Sequence, residues 1–132
     1  MRSFLMGALI LASVAPQAHA QKWKDIGRTA SGNVVSVDPR SVKHKGTLVS
    51  AIVRVVFTPP VQTARGAERS SRIDADFDCT KRYIASRGST YFADEKGTKV
   101  VERSVNKMPG FGPVLGGSLG AIAMDYFCGP RK

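Results

Sequence analysis

Three aspartates on one predicted strand form the cluster in this sequence that most resembles a metal site. Asp74, Asp76 and Asp78 alternate with apolar residues, so their carboxylates share one face of the strand. Carboxylate oxygens are ligands that Ca²⁺ and Mg²⁺ prefer. However, same-face neighbours on a strand are about 7 Å apart, and the glycine and glutamate of a Ca²⁺-binding loop are missing. We interpret the cluster as a solvated acidic face balanced by Arg54 or Arg72, and expect neither a metal nor a cofactor.

Side chains that could act in catalysis are isolated from one another. His44 is the only histidine outside the first twenty residues, and it lies between Lys43 and Lys45. A general base needs a partner that orients it. Ser118 lacks the Gly-x-Ser-x-Gly pattern of a nucleophile elbow and fits the N-cap of a helix. We therefore predict that the protein is not an enzyme.

The first twenty residues have the pattern of a secretory signal peptide. Arg2 precedes a short apolar stretch, and Ala18-His19-Ala20 matches the small-x-small cleavage signal. The apolar stretch is too short to cross a bilayer as a helix, and no cysteine follows the cleavage point to carry a lipid. The sequence predicts one domain spanning residues 21–132, located in the periplasm or secreted.

Positive charge dominates the predicted mature chain. Because the leader holds one of the 20 Lys and Arg residues and none of the 10 Asp and Glu residues, 19 against 10 remain and the net charge is +9. Such a balance raises encounter rates with anionic proteins, glycans, lipids and nucleic acid, although it also serves simply to keep a protein soluble. Export and the lack of a nucleic-acid motif argue against nucleic acid. Candidate binding residues are the cations of two predicted loops beside the longest strand: Lys43, Lys45, Arg65 and Arg69.

Two cysteines, Cys79 and Cys128, lie in the predicted exported part. An even number of cysteines in an oxidising compartment predicts a disulfide. Closing a loop of about 50 residues contributes on the order of 4 kcal/mol of stability. A redox role would need a Cys-x-x-Cys pair and a metal role would need further ligands, so we predict a structural bond.

The alternation of apolar and polar residues predicts about six strands and one C-terminal helix. The third strand has a clear apolar face and is predicted to end at Thr58-Pro59-Pro60, because proline cannot donate to a ladder. A polar loop to about Glu68 follows. The helix begins after Ser118 and ends at Cys128-Gly129. The predicted strands span residues 23–28, 33–38, 47–57, 72–79, 83–92 with a break or bulge at Gly88, and 99–105.

Scattered positions along the predicted mature chain resemble the surface-adhesin protein E-like domain of Gram-negative bacteria. The resemblance rests on Trp23, Val35-Ser36-Val37-Asp38 with its turn to Ser41, the Gly46 tip, Asp78-Cys79, the Gly97 hairpin and the helix from Ser118 to Cys128. It implies an α+β fold in which an antiparallel sheet of about six strands packs against the helix and carries the Cys79–Cys128 disulfide. It also implies a homodimer that binds host matrix and serum proteins such as vitronectin and laminin. The resembling adhesin is lipid-anchored, whereas this chain has no cysteine after its predicted signal peptide. No host-binding segment of that adhesin can be matched to this sequence residue by residue.

These observations support two functional hypotheses. The first is a non-catalytic binding module of the bacterial envelope that recognises acidic protein or glycan surfaces through its basic loops. The second is a periplasmic structural or accessory protein that acts through a sheet edge or an apolar face.

Overall fold

A computed structural model describes residues 22–131 of the protein. The predicted signal peptide and its cleavage after Ala20 lie outside these residues. The elements in chain order are β1 (Lys24–Arg28), β2 (Val34–Val37), a 3-10 turn (Pro39–Ser41), β3 (Lys43–Lys45), β4 (Leu48–Thr63), β5 (Gly66–Asp78), β6 (Tyr83–Phe92), β7 (Val100–Val105), β8 (Gly112–Pro113) and α1 (Leu119–Cys128).

Six of these strands form one curled antiparallel sheet, as the sequence predicted. Their spatial order is β1-β2-β4-β5-β6-β7, and every pairing is antiparallel. The short β3 pairs with the start of β4, and β8 pairs with the start of β6. The sheet is therefore a meander: apart from the short β3 and β8, strands that are successive in the chain lie side by side.

The core lies between one face of this sheet, called here the helix face, and α1. Alternation in β4 brings its inward residues Val49, Ala51, Val53 and Val55 to the helix face, where each is at most 4% exposed. The helix contributes Ala123 and Met124 to the same cluster. The opposite face of the sheet, called the outer face, carries the polar residues of the alternation.

A disulfide between Cys79 and Cys128 fastens the end of α1 to the chain just after β5, which confirms the predicted bond. The two Cα atoms are 5.2 Å apart, and both cysteines pack at the margin of the core. Arg82 reinforces this corner, because its Nη1 donates to the carbonyl oxygen of Gly129 at 2.9 Å. Arg82 also forms an ion pair with Asp125 on the helix. The C-terminal end of α1 is thus held by a covalent bond and by one arginine.

The prediction that Thr58-Pro59-Pro60 ends the long strand is wrong. β4 continues to Thr63, with an irregularity of register between Val56 and Val61. Pairing is interrupted at the prolines, so no ladder hydrogen bond depends on the N–H that they lack. Because β5 already begins at Gly66, the predicted polar loop to about Glu68 shrinks to a two-residue turn.

Two other predicted loops contain short strands. The polar tip at residues 43–46 includes β3, whose three residues pair with β4. The Gly- and Pro-rich stretch at residues 106–117 includes β8. Both segments have weak strand propensity, and they are extended because a neighbouring strand offers unpaired backbone groups.

Candidate binding face

The predicted irregularity in β6 is a bulge, and it positions an arginine. Asp74 lies opposite Gly88 while Ala75 lies opposite Ser86, which leaves Arg87 as the extra residue. The bulged arginine reaches across the outer face to β5. Its Nη2 donates to Asp74 Oδ1 at 2.6 Å, and its Nη1 lies 3.0 Å from Asp76 Oδ1.

These contacts explain the acidic cluster of β5. The hydrogen bond with Asp74 raises the pKa of the Arg87 guanidinium above its ordinary value. Asp76 also accepts a hydrogen bond from Ser50 Oγ at 2.6 Å. Asp78 instead accepts from the backbone N–H groups of Thr80 and Lys81, which close the turn after β5.

The three aspartates therefore have structural partners. Arg87 supplies ion pairs to Asp74 and Asp76, a partner that the sequence did not predict. Within residues 22–131, no group of three or more His, Cys, Asp or Glu side chains is placed to hold a metal ion.

Three arginines form a row across the middle of the outer face, called here the arginine row. Arg54 of β4 lies directly opposite Arg72 of β5, and Arg72 lies opposite Thr90 of β6. Thr90 in turn lies opposite Arg103 of β7. Residues directly opposite on neighbouring strands have Cβ atoms about 4.5–5.5 Å apart, and like charges in such positions destabilise a sheet. The register therefore places two like charges side by side on the outer face.

Aromatic rings support two members of the arginine row. The guanidinium carbon of Arg54 lies 4.6 Å from the centre of the Trp23 ring, and that of Arg72 lies 5.5 Å from the centre of the Phe92 ring. Both distances are within the range of cation–π attraction. The rings hold the guanidinium groups in place without neutralising their charge.

Arg54 is partly buried. Desolvation on burial lowers its pKa below the ordinary value, while the charges of Asp25 and Glu95 act in the opposite direction. Its Nε is buried and has no hydrogen-bond partner within residues 22–131. A buried charged group that lacks part of its hydrogen bonding is costly unless a ligand completes it.

A hollow of about 280 Å³ opens beside the arginine row. Gly88 contributes no side chain at this point, and Arg72, Thr90 and Arg103 lie along the wall. Asp74 lines the same hollow, but its carboxylate is engaged by Arg87. Arg72 and Arg103 flank Thr90. Guanidinium and hydroxyl groups are the hydrogen-bond donors that suit the oxygen atoms of a carboxylate or sulfate group.

The four cations chosen from the sequence do not come together. Lys43 and Lys45 are exposed on β3 beside the start of β4, not in a loop as predicted. Arg65 is exposed in the turn at the other end of β4, where its Nη2 lies 2.5 Å from Glu102 Oε2. Arg69 lies on β5 and is also exposed, so its predicted loop position is wrong. Lys43 pairs with Ser50 and Gly66 pairs with Thr63, so these ends of β4 are 13 positions apart. The two pairs of cations are therefore up to about 40 Å apart.

The other candidates take structural positions. His44 is exposed on β3 opposite Val49. Ser118 caps α1, because its Oγ accepts from the backbone N–H of Ala121 at 3.2 Å.

Sequence reasoning placed Arg54 and Arg72 on polar strand faces but did not bring them together. The missing information was the register of β4 against β5, which aligns Arg54 with Arg72. The turn before Gly66 pairs Thr63 with Gly66, and that register continued along β4 would place Arg54 opposite Ala75. The irregularity between Val56 and Val61 shifts the pairing and brings Arg54 opposite Arg72.

The chain is a small sheet protein that is fastened by one disulfide and carries a row of three arginines on the face away from its helix. Among the described residues, no helix has the length and apolar character needed to cross a bilayer. The family model for surface-adhesin protein E matches residues 23–129, so the chain belongs to the surface-adhesin protein E family. No curated protein matches the chain.

Solved structures of Haemophilus influenzae protein E are similar in fold. One crystal form superposes with a TM-score of 0.55 at 14% sequence identity, covering 76% of this chain and 84% of that one. Protein E from non-typeable Haemophilus influenzae gives a TM-score of 0.54 at 12% identity, covering 86% of this chain and 79% of the other. At these identities the likeness establishes the fold and says nothing about individual binding residues.

Proposed function

We propose that the protein is a non-catalytic, exported binding module of the bacterial envelope that recognises acidic surfaces of a protein or polyanionic glycan partner. The family supports an adhesive role, and host matrix proteins fit the proposal as partners with acidic surfaces. The arginine row is the proposed contact surface. The observation that carries the proposal is the direct cross-strand placement of Arg54 and Arg72.

The fold holds two arginines directly opposite each other on neighbouring strands. Opposed like charges cost stability, and the aromatic rings of Trp23 and Phe92 fix both guanidinium groups in place. A partner carboxylate or sulfate would accept charge-assisted hydrogen bonds from guanidinium groups of the arginine row. Positions where local rules are violated are expected to be functional.

Lys43 and Lys45 extend this surface, whereas Arg65 and Arg69 contribute less. The partners of Lys43 and Lys45 in β4 are Ser50 and Leu48, which alternate with the core residues and so point to the outer face. Arg65 is already paired with Glu102.

The test uses immobilised heparin and, separately, a poly-glutamate peptide as probes across a salt series. Replacing Arg72 and Arg103 by Gln is expected to weaken binding at least tenfold for each arginine, since a charge-assisted hydrogen bond contributes about 1.5–3 kcal/mol. Replacing Arg40 and Arg131 by Gln is the matched control, because both are exposed and lie outside the row. Equal losses in the two double variants would show that only net charge matters and would refute a defined site.

A second variant tests the extension of the surface. Reversing the charge at Lys43 and Lys45 should lower affinity for the same probes while changing the melting temperature by no more than a degree or two, because surface changes usually stay within about 0.5 kcal/mol. Unchanged affinity would remove β3 from the proposed surface.

An alternative function is favoured by one observation at the edge of the sheet. The strand β7 is an edge of the main path, and it exposes Val100 and Val105 by 51% and 72%. Such an edge suits pairing with a partner strand or with a second copy in a homodimer, as expected of a periplasmic structural or accessory protein. Binding that persists in high salt would favour this alternative, since apolar and backbone contacts are not screened.

A further inference from the structure

An exposed apolar segment connects β7 to α1, and its role is separate from the arginine row. The segment spans residues 106–117 and is called here the strap. Three of its large apolar side chains lie in solvent: Met108 is 89% exposed, Phe111 is 46% exposed and Leu115 is 80% exposed. Three large apolar side chains left in solvent within one short segment indicate an interaction site.

Beneath the strap lies an apolar cavity of about 350 Å³. Its walls include Ile73 and Phe77 of β5, Ile84 of β6 and Leu119 at the start of α1. Gly110 and Gly112 of the strap also line it, and a methyl group built on either would meet no atom within 4 Å. The few polar residues of the lining include Ser86 and Asn106.

This cavity is a cleft that opens to solvent, since Ser86 in its lining is exposed. Water inside it finds few hydrogen-bond partners on the apolar walls, so an apolar ligand would displace that water favourably. The volume and the lining match those of small-molecule sites, which are mostly apolar with a few placed polar groups.

The charge around the strap selects the kind of ligand. From Arg103 to Met124 the sequence contains no Asp or Glu, whereas Arg103 and Lys107 are both cationic. Lys107 is exposed beside Asn106, which lines the cavity. An anionic head group is therefore favoured near this end of the strap, while an alkyl chain fits the apolar walls.

We propose that the cavity beneath the strap binds the alkyl chain of an anionic amphiphile, with its head group held near Asn106 and Lys107. The chain would cover apolar surface on Ile73, Ile84 and Leu119, which are only partly buried. Gly110 and Gly112 leave room for it under the strap. This site is independent of the proposed binding of acidic partners on the outer face.

The test is a titration of the purified protein with 11-(dansylamino)undecanoic acid, a fluorescent probe with an anionic head and an alkyl chain, below its micellar concentration. Wild-type protein is expected to enhance the probe fluorescence saturably. The variant Ser86→Leu, which places a large apolar side chain in the cavity, should bind at least tenfold more weakly. Ser104→Leu is the matched control, because Ser104 is exposed on the neighbouring strand β7 and does not line the cavity.

Two further arms test the position of the head group. Dodecanoate should displace the probe at least tenfold more effectively than dodecyltrimethylammonium, which has the same chain length and the opposite charge. Lys107→Glu should reduce this preference while leaving the melting temperature unchanged.

Several results would overturn the proposal. These are absence of saturable probe binding by the wild type, binding by Ser86→Leu equal to that of Ser104→Leu, or equal displacement by the anionic and cationic amphiphiles. If Ser86→Leu shows no cooperative melting transition, Ala75→Val makes a smaller intrusion from β5, where Ala75 lines the same cavity. Probe binding by Ala75→Val at wild-type strength would then refute the site.

Discussion

Replacing both cysteines by Ser should lower the free energy of unfolding by about 2–5 kcal/mol and release α1 before the sheet. The bond between Cys79 and Cys128 spans 49 positions. For that loop the chain-entropy model gives about 14 cal/mol/K, or roughly 4 kcal/mol at 25 °C. This is a large part of the 5–15 kcal/mol that holds a typical domain together.

The structure indicates how this loss is distributed. Without the bond, α1 keeps the burial of Ala123 and Met124 and its contacts with Arg82. The sheet keeps its whole ladder. The helix should therefore open locally at a lower free energy than β4 and β5.

The assay combines urea denaturation with hydrogen exchange of peptides covering α1 and β4. Amide protection in α1 should fall more than protection in β4, and reduction of the wild-type protein should reproduce the effect of the double substitution. Thiol labelling of native and denatured protein is the control. Two reactive thiols in the native wild type, an unchanged urea midpoint, or equal loss of protection in both elements would refute the reasoning.

Three further substitutions test packing and charge. Gly27→Ala should cost about 1–3 kcal/mol in urea denaturation, because a Cβ there would lie 2.8 Å from Ile122 Cγ2, whereas Gly110→Ala should stay within about 0.5 kcal/mol. Met124→Ala should cost about 2–5 kcal/mol in the same assay, since Met124 is 0% exposed; a smaller loss would mean that the core closes around the gap. Hydrogen bonds from Thr98 and from the backbone lower the pKa of Asp94 to about 2, so its stabilisation is full above the unfolded pKa of about 3.9 and is lost as pH falls toward 2. Asp94→Asn should weaken the decrease of melting temperature between pH 5 and pH 2, and an unchanged decrease would contradict this assignment.

Much of the fold could be predicted because its strands alternate cleanly. In β4 and β5 the apolar positions around Val53 and Phe77 face the core as the pattern required. Ser118 and Gly129 mark the two ends of the helix by the chemistry of helix caps.

The candidate site was harder to predict from the sequence. It depends on the register between strands, and knowing which residues form each strand is not enough. Alternation tells which residues share a face, but the partners of Arg54 and Arg103 are fixed by turns and bulges elsewhere. The sequence also predicted that β4 ends at Thr58-Pro59-Pro60, whereas the strand continues to Thr63. Because the strand was ended early, Arg69 was assigned to a loop although it lies on β5.

The meander order of the sheet has a consequence for how the chain acquires its structure. Along the path from β4 to β7 every pairing joins strands that follow one another in sequence, so each hairpin closes a short loop and the entropic barrier to its formation is small. The helix that completes the core is the last element of the chain and contacts β1, β2 and β4, so its docking closes the longest loops. Folding from the unfolded state should therefore proceed by early growth of hairpins and late arrival of the helix, with formation of the Cys79–Cys128 bond following that docking.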